Sequence, residues 1–251
     1  MNTAHPRVTR LEDFLAGASV APEVFAAHPD YRALLVAVDG LAPAASDAES
    51  EALLRAAEAH ATGTLADTPV AEHPHVAAWR AAYKGFGAKP QKFRNSLEAL
   101  LRRAAGDGLP RVNKLTDVYN AVCVTHGLPL GGEDLDAYAG SPHLVVATGD
   151  EDFDTAAAGS TVTDHPEPGE IVWRDDRAVT CRRWNWRQGV RTRLTEDTVR
   201  AVFILDALGP LDDEALRTAG DLLLAHLPAG PDGLAVATRL LAAEVPSPEG
   251  A

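Results

Sequence analysis

Helix-forming and strand-forming segments fall in separate blocks along this chain, which constrains its fold more than any other feature. An early apolar run, "YRALLVAVDGL" (31–41), reads as a buried strand. Helical periodicity then predicts helices over 46–61, 75–83, 91–105 and 113–126. Ser46, with Glu49 three residues on, is the expected cap of the first. "KGFGAKP" (84–90) breaks the second, Gly106 ends the third and "HGLPLGG" stops the fourth. Short strand-like runs follow at 143–148, 169–175, 178–187 and 200–208, separated by turn residues. An amphipathic helix at 212–227 precedes a Pro/Gly/Ala-rich tail. Blocks of helices and strands, rather than strict alternation, predict an α+β fold with mixed sheets flanked by helices. No stretch reads as a linker, so one domain is expected over 1–245, with a tail at 246–251.

Hydrophobic residues make up 46% of the 251, enough for a sizeable core. No apolar run approaches the roughly 20 residues needed to cross a bilayer. The N-terminal stretch lacks the apolar centre and cleavage site of a secretory signal. Two cysteines give neither a disulfide framework nor zinc-ligand spacing. A cytoplasmic protein with no membrane partner is expected.

The net charge of −13 is unevenly spread. Residues 80–114 carry nine Lys or Arg against Glu98 and Asp107, and residues 174–193 carry seven Arg against Asp175 and Asp176. Two basic segments on an acidic body form a candidate anion-binding surface. The alternative is that these cations pair with local acids. No whole-surface binding to long DNA is expected either way.

Phosphate-loop, dinucleotide, zinc-protease and nucleophile-elbow motifs are all absent. His73 and His75, separated by a proline and without a third ligand nearby, read as a surface loop rather than a metal site. Cys123 and His126 read as a buried cysteine beside a helix-terminal histidine rather than a nucleophile and its base. No cofactor or metal is expected. In "PRVNKLTDVYN" (110–120), Asn113, Asp117 and Asn120 share one helical stripe opposite Leu115, Val118 and Val122. Asn and Asp are poor helix formers, so a stripe of them suggests a polar wall, although Asn113 alone could be a helix cap. In "CRRWNWRQG" (181–189), read as a strand, Arg182, Trp184 and Trp186 face one way and Arg183, Asn185 and Arg187 the other. That pattern suits an anion site with an indole stacking plate, and equally a tryptophan core with arginines over its edge.

Five segments in this order resemble the B3/4 (tRNA-editing) domain of the phenylalanyl-tRNA synthetase beta subunit, especially its free-standing relatives. They are "GAKPQKFRNSLEALLRR" (87–103), "LPRVNKLTDVYNAVCVTHGLPLGGEDLD" (109–136), "GEIVWRDD" (169–176), "CRRWNWR" (181–187) and "TEDTVRAVFIL" (195–205), within a resemblance spanning 83–205. The resemblance implies the fold of that domain and hydrolysis of a wrongly attached amino acid from tRNA, carried out in trans. On this reading Asn113, Asp117, Glu170 and Asn185 are the candidate catalytic residues. Asn120, Lys84, Lys89, Arg94, Arg183, Trp184 and Arg187 are the candidate substrate contacts, the cations for phosphates and Trp184 for stacking. The implied partners are the aminoacylated acceptor end of tRNA and, as a second, a tRNA synthetase.

The synthetase pattern has a histidine after G-x-P, where this chain reads "PLGGEDLD" with Gly131 and Gly132. Its Gly-Gly-Glu stretch, whose glutamate helps select the tyrosine hydroxyl, is replaced near "WNWRQG", and "HLVVATGDEDF" lacks the arginine of the third strand. Tyrosine recognition therefore does not carry over residue by residue. A non-catalytic module binding tRNA or a synthetase, and a small-molecule ester or amide hydrolase, are the alternatives.

Overall fold

The computed structural model describes residues 10–42, 44–157 and 159–244. The elements run α1 (Leu11–Gly17), β1 (Ser19–Val20), α2 (Pro22–Ala27), β2 (Arg32–Asp39), α3 (Ala48–Thr64), α4 (Pro74–Gly85), α5 (Ser96–Ala104) and α6 (Lys114–His126). They continue β3 (Leu130–Asp134), β4 (His143–Val146), β5 (Phe153–Ala157), β6 (Ser160–Asp164), β7 (Ile171–Arg174), β8 (Val179–Arg182) and β9 (Arg187–Gln188). The last are β10 (Arg200–Ala207), α7 (Asp213–His226) and β11 (Ala235–Ala242). The fold is α+β, as the block pattern predicts.

The two long apolar runs become β2 and β10, which pair antiparallel over their full length, Arg200 opposite Asp39 to Ala207 opposite Arg32. They form the centre of a four-stranded sheet ordered β11-β2-β10-β3, antiparallel throughout. Both faces of these strands are covered. Leu34, Val36, Phe203 and Leu205 pack with Leu54, Leu101, Val118, Val122 and Leu216 of the helices. Leu35, Ala37, Val202 and Ile204 pack instead with Trp79 and Tyr83 of α4, with Leu144 and Trp173 of the second sheet and with Trp184 between its strands β8 and β9. That sheet is mixed, with order β1-β4-β7-β8-β9 and β1 parallel to β4. Each large side chain so buried contributes about 1.5–3 kcal/mol against chain entropy.

Helix α6 has clear local causes. Asn113 is its N-cap, accepting the Thr116 N–H at 2.9 Å. Gly127 closes it at φ 64°, a left-handed position where glycine avoids a Cβ clash.

Some expectations needed correcting. The cap of α3 is Asp47, not Ser46, and its reciprocal partner is Ser50, not Glu49. Helix α5 begins only after Asn95, which caps it through the Glu98 N–H. Residues 178–187 are not one strand, because β8 ends at Arg182 and a turn follows. The region after 227 contains β11, an edge strand paired with β2 along its whole length. The tail expected at 246–251 lies outside the described residues.

The "GG" of "PLGGED" is explained by register. Gly132 lies opposite Phe203 on the helix-facing side, and a Cβ there would come within 2.7 Å of the Phe203 ring and the Leu194 side chain. Gly131 lies opposite Ile204, and a Cβ there would meet nothing within 4 Å. Gly132→Ala is therefore expected to destabilise by about 1–3 kcal/mol through overpacking. Gly131→Ala should stay within about 0.5 kcal/mol of the parent. Urea unfolding of the two variants checks the contrast, and equal losses would reject this packing.

Candidate functional site

Alternation along β10 and β3 decides which polar groups lie between the sheets. Val202, Ile204 and Asp206 of β10 share one side, and Glu133 joins them because it is the register partner of Val202. Asp206 and Glu133 are both 3% exposed. They open onto a cavity of about 360 Å3. Its apolar walls come from Tyr119, Leu130, Trp173, Trp184, Trp186 and Ile204. Its polar lining includes Asn120, Asn185 and Gln188, with Arg187 exposed at the rim. Gly131 also lines it and leaves space where a side chain would project.

The floor is a hydrogen-bond network. Tyr31 donates its hydroxyl to Asp206 Oδ1 at 2.6 Å, and Asn185 donates Nδ2 to Asp206 Oδ2 at 3.2 Å. Asn185 Oδ1 accepts the Tyr83 hydroxyl at 2.9 Å, so both ends of its amide are fixed. Glu133 accepts a short hydrogen bond from the Tyr138 hydroxyl. Gln188 donates Nε2 to the Gly132 carbonyl at 2.6 Å. Desolvation pushes both carboxyls up to about 7, outweighing the hydrogen bonds from Tyr138 to Glu133 and from Tyr31 to Asp206. Two carboxyls thus lie at the midpoint of titration near neutrality, the range in which a carboxylate can exchange protons with a reacting group.

The turn at 183–186 places the remaining side chains. Arg183 (φ 46°) and Trp184 (φ 66°) are two consecutive non-glycine residues in the left-handed region, each costing of order 1 kcal/mol or more. Bonds from Trp184 N–H to the Ile171 carbonyl (2.6 Å) and from Ser96 N–H to the Asn185 carbonyl (2.9 Å) hold the turn against β7 and the start of α5.

The residues singled out in the sequence divide. Asn185 and Asn120 line the cavity, as do Trp184 and Arg187. Trp184 is wholly buried among Tyr31, Trp79 and His28, with ring centroids 4.8–5.1 Å away, so it is a packed wall rather than a free stacking plate. Asn113 does not line the cavity because its side chain caps α6. Asp117 is also excluded: its carboxylate accepts from Val112 N–H at 2.9 Å and Ser50 Oγ at 3.1 Å, tying the helix start to α3. Glu170 is elsewhere, clamped by Arg182 through Nε and Nη2 at 2.9 Å each. Arg183 is buried beside Glu170 and lines a second cleft with Lys89. Lys84 and Arg94 are exposed, and Arg94 is 3.9 Å from Glu98. His75 is not in a surface loop: it is buried in the first turn of α4, where Nε2 accepts from Trp79 Nε1 and the Leu208 N–H.

The basic segments are partly neutralised. Glu98 takes Arg80 and Arg102, Glu51 and Glu58 take Arg111, and Asp47 and Glu49 take Lys114. Lys84, Lys89, Lys92 and Arg103 have no carboxylate within 4.0 Å among the described residues. Glu133, Asp206 and Tyr31 escaped the sequence reading. The available signal was an aspartate inside the apolar run "FILDAL" (203–208), where a charge has no solvent to meet.

Among the described residues no helix is long and apolar enough to cross a membrane, and no three or more His, Cys, Asp or Glu side chains are grouped to hold a metal ion. A family model described as the B3/4 domain matches residues 78–218, more than half of the chain. No curated protein matches it. Among solved structures it is similar to an N-terminal fragment of the phenylalanyl-tRNA synthetase beta-subunit from Pyrococcus horikoshii, at a TM-score of 0.41 and 12% identity. The alignment covers 87% of this chain and 53% of that one, so the chain spans about half the length of the fragment it matches.

The raised carboxyls predict the pH dependence of stability. Between pH 4.5 and about 7 the native state retains a proton on Glu133 that the unfolded chain has released. The native state therefore binds more protons, and stability falls as pH rises through this window. Glu133 accounts for about 3 kcal/mol of that decline at most, and Asp206 acts in the same direction. Glu133→Gln should flatten the decline and be relatively more stable at pH 8 than at pH 5. Denaturant midpoints at the two pH values measure this, and an unchanged slope would show that Glu133 is not held protonated.

Proposed function

The chain belongs to the B3/4 domain family, and from that premise we propose that its cavity hydrolyses the ester of an aminoacyl-tRNA, releasing a wrong or non-standard amino acid. One observation carries the reading. Two carboxyls with pKa near 7 and the amides of Asn120, Asn185 and Gln188 converge on a cavity with aromatic walls. Its volume suits a small acyl group.

Hydrolysis of an ester needs an oriented water, a base and polarisation of the carbonyl, with no covalent nucleophile. Glu133 is the base: it takes a proton from the water whose oxygen bonds to the ester carbon. The amide N–H of Asn120 faces the developing oxyanion, while Gln188, held on the Gly132 carbonyl, helps to position Glu133. The ester C–O bond then breaks, and the proton held by Glu133 passes to the ribose oxygen. Asn185 is fixed from both ends, so it orients the substrate without reorganising, and Asp206 supplies negative charge for the α-ammonium. Trp173, Trp184 and Trp186 favour an apolar or aromatic side chain on the amino acid. The exposed cations Lys84, Lys89, Arg94 and Arg187 are the contacts for the tRNA backbone.

A second reading is a non-catalytic module that binds tRNA or a synthetase. It is favoured by the way Asn113, Asp117 and Glu170 spend their polar groups on the fold.

The test is deacylation of a panel of correctly and incorrectly charged tRNAs. Turnover of at least one is expected, with kcat/KM rising with pH to about 7 and then levelling. Glu133→Gln should lower it by about 100-fold and leave only the shallower rise set by ionisation of Asp206, and Asn185→Ala should lower it by about tenfold. Bound tRNA with no turnover of any substrate would reject the hydrolase and support the binding module.

A further inference from the structure

A second cleft, of about 270 Å3, lies beside the first and is lined by Phe86, Lys89, Lys92, Phe93, Glu170 and Arg183. Arg183 is only 6% exposed. Its guanidinium lies 3.7 Å from the ring centroid of Phe93 and 4.6 Å from that of Trp186. Nη2 is 3.2 Å from Glu170, but Nη1 is buried with no hydrogen-bond partner among the described residues. An unpaired donor on a buried cation is costly in a finished core.

Glu170 does not settle that charge. Its two oxygens receive Nε and Nη2 of Arg182, the backbone N–H of Arg183 at 3.0 Å and that of Glu167 at 3.3 Å. One carboxylate thus serves two guanidiniums. Burial lowers the pKa of Arg183, and the neighbouring Arg182 pushes it the same way against Glu170. Lys89 and Lys92 are exposed at the cleft, and Glu167 is the further acid in its lining. The strained turn is what splits neighbouring residues between the two sites, Trp184 and Asn185 to the cavity and Arg183 to the cleft.

We propose that this cleft is a phosphate-binding site, in which the free Nη1 of Arg183 donates to a phosphate oxygen and Lys89 and Lys92 flank it. A guanidinium stacked on aromatic rings is a rigid donor, suited to phosphate geometry, and the lysines add charge without fixed direction. Phe86 and Phe93 offer apolar surface to whatever carries the phosphate. The site shares Lys89 with the tRNA contacts proposed above, but phosphate binding there does not depend on ester hydrolysis.

The test titrates the full chain, in phosphate-free buffer of low ionic strength, with inorganic phosphate, cytidine monophosphate and a short single-stranded RNA that carries no amino acid. Calorimetry gives the affinity, and tryptophan fluorescence reports on Trp186, which stacks on Arg183. Phosphate and the nucleotide are expected to bind at one shared site. Displacement by RNA assigns the phosphate to a nucleic-acid backbone, and failure of RNA to compete assigns it to a small molecule. The double variant Lys89→Ala/Lys92→Ala, exposed and so harmless to folding, should weaken binding by about tenfold. Arg183→Gln should abolish binding, and if it unfolds the protein the lysine variant decides alone. No binding of any probe, or affinities unchanged in the lysine variant, would overturn the site. Ester turnover without phosphate binding rejects this cleft alone, and phosphate binding without turnover rejects the hydrolase alone.

Discussion

Strands β2 and β10 are covered on both faces, by helices on one side and by the second sheet on the other, so a polar side chain on either face must find its partners inside the protein. Asp206 meets this constraint through Tyr31 and Asn185, and Asn185 in turn through Tyr83. These bonds join β10, the residue before β2, the 183–186 turn and α4 at one point. Glu133 meets it through Tyr138. The same burial raises both carboxyls, so the layer arrangement that secures the core also sets the chemistry open to the cavity.

The 183–186 turn is the second determinant. An extended strand through "RRWNWR" would send alternate side chains to two faces of one sheet. Ending β8 at Arg182 and placing Arg183 and Trp184 in the left-handed region puts Trp184 in the core, Asn185 in the network and Arg183 in a separate cleft. Two non-glycine residues in that region are stable only where surrounding contacts over-determine them, as the bonds to β7 and α5 do here. Composition alone contains no signal for this, because neither residue is a glycine or asparagine.

Much of the fold was legible. Apolar periodicity located α4, α6, α7, β2 and β10, because their core-facing residues recur at helix or strand spacing. Strand β3 was hidden by its two glycines, and β11 by its alanines, which carry little strand signal, and its largely exposed place at the sheet edge. Less of the site was legible. Of the stripe Asn113, Asp117 and Asn120, only Asn120 reaches the cavity, since the first two are consumed in starting α6 and fastening it to α3. The basic segments show the same effect, much of their charge being cancelled by Glu51, Glu58 and Glu98.

The sequence by itself determined what local interactions govern: the caps of α6, the apolar faces of its helices, the long strands and the order of segments that marks the family. These depend on neighbours a few residues apart. Only the tertiary structure decided which polar groups are spent and which remain open. Asp117 is satisfied by a residue 67 positions away, Asn185 by one 102 away and Asp206 by one 175 away. A buried carboxylate or amide takes its role from the partners that folding brings to it, and no spacing along the chain encodes those partners.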